Sequence, residues 1–501
     1  MNRKEIFSSR WGIIFAGLGM AVGTGNIWRF PRVVSQYGGG AFIIPWLLFL
    51  FLWSIPLLVV EISMGRKTRL GVISSFGKIM GKNYAWMGTF VAFVTTAIMF
   101  YYSVVTGWCL KYFFATTFQG LIKRNASNFW TAFISSRWEP VLFHFIAIGI
   151  GAFIIYGGVV KGIERANKIL IPALFFLLVV ACLRALSLPS AYHGLNFLFS
   201  PDLSKLTDYK IWLNALSQSA WSTGAGWGLI LTYAVYSHKK ENPVLTATTL
   251  GFGNNLASLL AAVAVIPTAF SYHWTQIVAQ QKVFSEQHLI NEVMKEMEKG
   301  NQGLTFESIP TLFSQIPGGS FFLALFFLAL SFAAFSSLIS MLELDTRILM
   351  DAGLSRKKSI ALIAICGFLL GLPSALSLGF FENQDFVWGL GLLVSGFFFT
   401  IAVLKFGTKK FRQEIIPSSE KQIHIGKWFD ILVKFFLPLQ FLAMVGWWFW
   451  KSYSENPQNW FKIFSSSSVL TVLFQWSIAL GILLFLNKTI TRKLKINNND
   501  Y

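Results

Sequence analysis

Residues 11–31 read WGIIFAGLGMAVGTGNIWRFP, a run apolar enough to lie in a membrane that nevertheless carries Gly17, Gly19, Gly23 and Gly25, followed by Asn26. Each glycine weakens a helix by roughly 1 kcal/mol relative to alanine, so this density predicts a transmembrane helix that unwinds at residues 21–24. Unwinding frees backbone carbonyls and amides. Left unpaired in hydrocarbon they are costly, so such a break survives only where it is buried in protein or lines a ligand cavity. The competing reading is an unbroken packing helix whose small residues admit a close neighbour, as GxxxG contacts do.

The rest of the chain supports a membrane setting. Of 501 residues, 54% are hydrophobic, 17% aromatic and 13% charged, and the mean hydropathy is +0.57, too apolar for a water-soluble fold. The net charge of +20 is gathered in short clusters between apolar runs, the pattern of cytoplasmic loops rather than of a nucleic-acid surface. Cys109, Cys182 and Cys366 lie inside apolar stretches without ligand spacing, which favours buried small residues over a disulfide or a zinc site. The first apolar run has no AxA-like cleavage site and leads into Arg29 and Pro31, so it does not read as a cleaved signal.

Apolar runs of about 20 residues predict roughly twelve spans. They fall near 10–36, 40–65, 85–117, 139–158, 165–186, 209–237, 244–270, 317–350, 357–378, 385–405, 429–451 and 467–487. Basic residues such as Arg66, Lys67, Lys161, Lys239, Lys240 and Arg356, with both termini, fall on one side, which the positive-inside rule makes cytoplasmic. Residues 271–316, opposite, carry charges at helical spacing and predict an amphipathic external lid, or else a solvated loop. The sixth span repeats the opening signal: Ser217 to Tyr236 reads SQSAWSTGAGWGLILTYAVY, with Gly224, Gly226 and Gly228 midway. Glycine-interrupted helices leading two five-helix halves, 10–186 and 209–405, point to an inverted-repeat transporter with its site at the bilayer midplane. Residues 429–487 then supply two accessory helices.

Further motifs converge on a known family. AVGTGNIWRFP at 21–31, the triple glycine at 38–40, IPLLVVEISMGR at 55–66, the pair Tyr101 and Tyr102, the broken sixth span, AAFSSLISMLE at 333–343 and the segment 382–385 together resemble the neurotransmitter:sodium symporters. The resemblance implies an all-α polytopic membrane protein of the leucine-transporter (LeuT) fold, a 5+5 inverted repeat with about twelve transmembrane helices and helices 1 and 6 unwound mid-membrane. It implies sodium-coupled import of an amino acid or related amine by alternating access.

By that resemblance one sodium ion meets Ala21, Asn26, Ser222 and Asn254 together with the substrate carboxylate, and a second meets Gly19, Val22, Ala333, Ser336 and Ser337. Neutral oxygens suit such a hard cation. The substrate carboxylate falls to amides near Thr24 and Gly25, at a half-helix amino terminus, and to the Tyr102 hydroxyl. Its amino group falls to carbonyls near Ala21, Trp221 and Ser222. Val22, Ile98, Trp221, Gly224, Trp227, Ser337 and Met341 bound the side-chain pocket. No acidic side chain lies at either break, which favours a zwitterion over a monoamine. Trp221 and Trp227 are bulky whereas Gly224 returns space, and a glycine followed by that tryptophan resembles glycine-transporter members. The expectation is a small neutral amino acid; a larger aromatic or hydrophobic amino acid, or an N-methylated amino acid or amine, is the alternative.

Arg29 and Asp385 resemble the family's outer gate, and Lys4 and Asp351 its inner gate near Tyr236. Glu61, an acid within span 2, is expected to anchor the broken first helix. Met20 stands where bacterial amino-acid members often have asparagine. Gln218, Ser222, Asn254 and Ser258 resemble the chloride site of animal members, and the missing fixed negative charge beside a cation invites an anion; Trp46, where that site usually has tyrosine, argues against it. None of His144, His193, His238, His273, His288 and His424 forms an HExxH pair, and no GxSxG appears, so no enzyme is expected. A channel would line its path with repeated rings or filters rather than two inverted halves. A non-transporting amino-acid sensor on the same scaffold is the rival of another class. Short termini and modest external loops lead to the expectation of a prokaryotic plasma membrane, the basic clusters to that of cytoplasmic termini, and a monomer or homodimer in the lipid bilayer is expected.

Overall fold

A computed structural model describes residues 5–280, 285–417, 425–463, 465 and 468–496, and among them every regular element is a helix. Ten helices are long and apolar enough to cross a membrane, and the pair Arg10–Ala21 and Gly25–Gln36, bent by 53°, adds another. Tyr209–Ser222 and Leu229–Val235 flank a second break, at 223–228. In chain order span 1 is the bent pair, span 2 Gly40–Thr68, span 3 Lys82–Phe118, span 4 Glu139–Tyr156 and span 5 Val159–Leu186. Span 6 is the second broken pair. Spans 7 to 12 are Pro243–Ala279, Gly319–Asp351, Arg356–Leu376, Leu378–Phe406, Trp428–Glu455 and Val469–Lys493.

Burial sorts the spans into layers. The most apolar stretches of spans 3, 8 and 10 are 72–78% buried whereas those of spans 4, 5, 9, 11 and 12 are 33% buried, so the former make an inner layer and the latter turn most of their surface to lipid. Span 7 runs on to Ala279 instead of ending near 270, so the segment expected as a lid begins as a continuation of that helix. Beyond it, Glu286–Glu298 is helical and buries Leu289, Val293 and Met297 on one face. Gln36 donates to the Met297 carbonyl at 3.0 Å and Arg32 to Asn301 Oδ1 at 2.8 Å, which seats the segment over the second half of span 1.

The two breaks differ in construction. In span 1 only Val22 and Gly23 leave the helix, and no glycine there has positive φ. Gly17 and Gly19 are packing positions: a Cβ on Gly17 would lie 2.8 Å from Leu250, and one on Gly19 would meet Asn167 and lie 3.0 Å from Ser336 Cβ. The span is therefore broken as the glycine run predicts, while Gly17 and Gly19 serve close packing instead of the break. In span 6 Gly224, Gly226 and Gly228 have φ of +68°, +89° and +77°, the left-handed region where a side chain is strained.

Span 2 packs against span 6 so closely that a Cβ on Gly65 would meet the backbone carbonyl of Leu231. Backbone cannot rotate aside, so Gly65→Ala is expected to destabilise the protein by about 1–3 kcal/mol. Thermal melting in detergent would register this as a lower midpoint than wild type, with no rescue by sodium.

Candidate functional site

Glu61 explains how the sixth-span break is held. Its carboxylate is fully buried and accepts from the amides of Gly226 at 2.5 Å and Gly228 at 2.8 Å. The acid expected to anchor span 1 thus anchors span 6, because span 2 lies against Leu229–Val235 and presents Glu61 and Gly65 on that one face. Ser54, about two turns before Glu61 on span 2, is 3.0 Å from the hydroxyls of both Ser219 and Thr223, so span 2 fixes both sides of the break. Thr95 donates to the Trp227 carbonyl at 2.7 Å from the span 3 side.

Between the two breaks lies a cavity of about 350 Å³. All the candidate substrate residues except Val22 line it: Ala21, Thr24, Gly25, Ile98, Tyr102, Trp221, Ser222, Gly224, Trp227, Ser337 and Met341. Val22 is fully buried beside it. Tyr102 OH accepts from the Thr24 amide at 3.2 Å, which puts a hydroxyl and a helix amino terminus together. A Cβ added at Gly25 would meet nothing within 4 Å. Gly224 does not return space as expected: its Cβ position lies 3.1 Å from Met20 Cε, so the Met20 thioether occupies that room. Trp221 reaches across the cavity, and its indole abuts Gly389 of span 10. The indole nitrogens of Trp221 and Trp227 are buried without hydrogen-bond partners among the described residues.

Oxygen atoms cluster at the first candidate cation position. Asn26 Oδ1 accepts from the Gly23 amide at 3.0 Å, and its Nδ2 donates to Asn254 Oδ1 at 2.7 Å and Ser258 Oγ at 2.8 Å. That end of the Asn254 amide also lies 2.8 Å from the Ser222 carbonyl oxygen and 3.1 Å from that of Ala21. Turned over, the Asn254 amide would donate to both carbonyls; with its oxygen inward, three acceptors face one another and a cation between them relieves the repulsion. At the second position Ser337 Oγ is 3.3 Å from the Gly19 carbonyl, and Ser336 donates to the Ala333 carbonyl at 3.0 Å. Gln218, which also lines the cavity, has neither amide atom hydrogen-bonded among the described residues, although it is fully buried.

The cavity has a mouth and a closed end. At the mouth Arg29 donates to Ser217 at 3.0 Å and lies 5.3 Å above the Trp221 ring, so it is not closed on Asp385, which sits beside Tyr101. At the closed end the expected partner of Asp351, Lys4, lies outside the described residues. Asp351 pairs instead with Arg347 at 2.7 Å and accepts from the Gly71 amide at 2.6 Å. Tyr236 donates to Glu343 at 2.7 Å, and Arg356 grips Glu343 through both nitrogens at 2.9 and 2.5 Å. Phe7 donates its amide to the Tyr236 carbonyl at 3.0 Å and sets its ring edge-on to Tyr233 and Tyr236. Ser8 bonds Glu164 through both its amide, at 2.8 Å, and its hydroxyl. Sequence reading missed Phe7, Ser8, Glu164, Glu343 and Arg356 as closing residues. The available signal was the pairing of an acid within span 8 with the first basic residue after it.

Two broken helices crossing at a buried cavity, lined by neutral oxygens and open at one end, define a multi-pass secondary transporter rather than an enzyme. Comparison with known proteins gives the particular family. The sodium:neurotransmitter symporter family model matches residues 4–136 and 132–496, and this chain belongs to that family. It is 33% identical over 460 residues to an uncharacterised sodium-dependent transporter of Methanocaldococcus jannaschii, covering 88% of this chain and 90% of that one. It is 28% identical to the uncharacterised sodium-dependent transporter YhdH of Bacillus subtilis, covering 88% and 97%. Among solved structures, MhsT in complex with L-phenylalanine superposes with a TM-score of 0.75 at 29% identity, covering 88% of this chain and 99% of that one. The chain is a sodium-dependent transporter of LeuT fold.

Proposed function

We propose that this transporter imports a small neutral amino acid together with sodium by alternating access. The carrying observation is the cavity between the two breaks, where the Thr24 amide and Tyr102 hydroxyl meet beside the oxygen cluster of Ala21, Ser222 and Asn254. A carboxylate bound there would complete the shell of the first sodium ion, so ion and substrate would favour each other's binding. The second ion would occupy the Gly19, Val22, Ala333, Ser336 and Ser337 position. Alternation would run between the mouth, where Arg29 would close on Asp385, and the closed end held by Glu343, Arg356 and Tyr236. Basic loops and the archaeal and bacterial relatives support a prokaryotic plasma membrane with both termini and the closed end cytoplasmic.

A second reading, a larger hydrophobic or aromatic amino acid, is favoured by the phenylalanine bound to MhsT and by Met20 and Met341, whose flexible thioethers can yield to a larger side chain. Proteoliposomes with an inward sodium gradient, given radiolabelled alanine and phenylalanine in parallel, separate the two. Alanine accumulation that stops when potassium replaces sodium is the expected result; accumulation of neither would remove the reading.

Chloride would join the cycle at Gln218, Ser222, Asn254 and Ser258. Trp46, which counts against it by sequence, has a fully buried indole nitrogen without a hydrogen-bond partner among the described residues, and the Gln218 amide nitrogen is likewise unpartnered among them; both are donors an anion would satisfy. Uptake should fall several-fold when gluconate replaces chloride. Unchanged uptake rejects the chloride site and leaves sodium coupling standing.

A further inference from the structure

Span 8 carries a second buried acid that neither the cavity nor the closed end uses. Asp345 is 5% exposed and lies one turn beyond Met341 of the cavity wall. Its Oδ1 is 2.6 Å from the Thr96 hydroxyl oxygen of span 3, and its Oδ2 has no hydrogen-bond partner among the described residues. The same Thr96 oxygen is 2.7 Å from the Ala92 carbonyl.

Counting hydrogens decides the state of this group. A threonine hydroxyl has one hydrogen and here faces two acceptors at hydrogen-bond distance. Given to Asp345, it leaves two oxygens in contact at Ala92; given to Ala92, it leaves two in contact at Asp345. One more hydrogen, on Asp345, completes both bonds: Asp345 donates to Thr96, and Thr96 donates to Ala92.

Neighbouring charges offer no alternative. On its own helix Glu343 is taken by Arg356 and Arg347 by Asp351. Span 9 contributes that same Arg356, and span 5 contributes Glu164 and Lys168, paired with each other at 2.6 Å. Span 4 contributes His144, whose Nε2 is 3.1 Å from the Phe368 carbonyl. Span 6 contributes Tyr233 and Tyr236, and the short helix Val72–Met80 contributes Lys78 near its end. Span 3 has no ionisable side chain from Ala85 to Phe100. A bare carboxylate buried among these groups would be severely penalised.

We propose that Asp345 is a proton-binding site of this transporter, separate from the ion and substrate positions. With the closed end sealed it is a neutral acid bonded to Thr96; when that end opens and water reaches it, the O–H bond breaks, the electron pair stays on the carboxylate and the proton passes to water. The opening half rests on the alternating-access reading above. The protonated half does not.

Infrared spectroscopy of the purified full chain at neutral pH tests both. A carbonyl band of a protonated carboxylic acid is expected in wild type, lost in Asp345→Asn, kept in Glu343→Gln, and displaced in Thr96→Val, which removes the acceptor. A band unchanged in both Asp345→Asn and Thr96→Val would overturn the assignment. Should Asp345→Asn fail to fold, Thr96→Val alone decides, since an undisplaced band then belongs to another acid. Tyr236→Phe and Arg356→Ala loosen the closed end, and the Asp345 band is expected to weaken in both. Full persistence of the band in both would overturn release on opening while leaving the protonated site intact.

Discussion

Glu61→Ala is expected to lower stability by about 2–6 kcal/mol, taking about 1–3 kcal/mol for each buried amide left without an acceptor. The reason is geometric. Gly226 and Gly228 direct their amides at the two oxygens of one fully buried carboxylate, and their positive φ fixes that direction. Glu61→Gln keeps one oxygen and turns the other position into a donor facing an amide, so an intermediate loss of about 1–3 kcal/mol is expected. Melting midpoints should follow wild type, Glu61→Gln, Glu61→Ala in falling order. Equal midpoints for all three would mean that the break does not depend on span 2.

Arg356→Ala is expected to cost about 3–5 kcal/mol, because it strips the counter-charge from an acid that is 0% exposed. Arg356 also donates to the Ile155 carbonyl at 3.0 Å, so its removal frees the end of span 4 from span 9 as well. Glu343→Gln leaves Arg356 with a neutral partner and should cost less. The double variant Arg356→Ala, Glu343→Gln should recover most of the loss, since the penalty comes from the stranded charge rather than from the missing contact. A double variant as unstable as Arg356→Ala alone would place the cost in the Ile155 contact.

What the sequence disclosed and what it withheld divide along physical lines. Properties carried by a single segment were legible. Hydropathy located the spans to within a few residues at most ends, and glycine density located both breaks. Residues named for the substrate pocket gather around one cavity because spans 1, 3, 6 and 8 meet there. Properties that depend on which segment lies opposite were not. Glu61 was legible as a functional acid, but that it faces the sixth break rather than the first follows from span 2 packing on Leu229–Val235. Gly224 read as free space because nothing in its own span reveals that Met20 of span 1 fills it. Asp351 read as a partner for the amino terminus, whereas Arg347, one turn earlier on the same helix, takes it. That pair was within reach of an i,i+4 search along span 8.

A thermal-shift titration of free amino acids in sodium against potassium, run on wild type and Asn254→Ala, tests the central claim most directly. A ligand at about 100 times its Kd should stabilise the protein by about 2.7 kcal/mol. That shift should appear in sodium, vanish in potassium and be lost in Asn254→Ala, because Asn254 contributes to the oxygen cluster shared by the two breaks. A ligand that stabilises equally in potassium, or equally without Asn254, would contradict a site in which sodium and substrate are held together between spans 1 and 6.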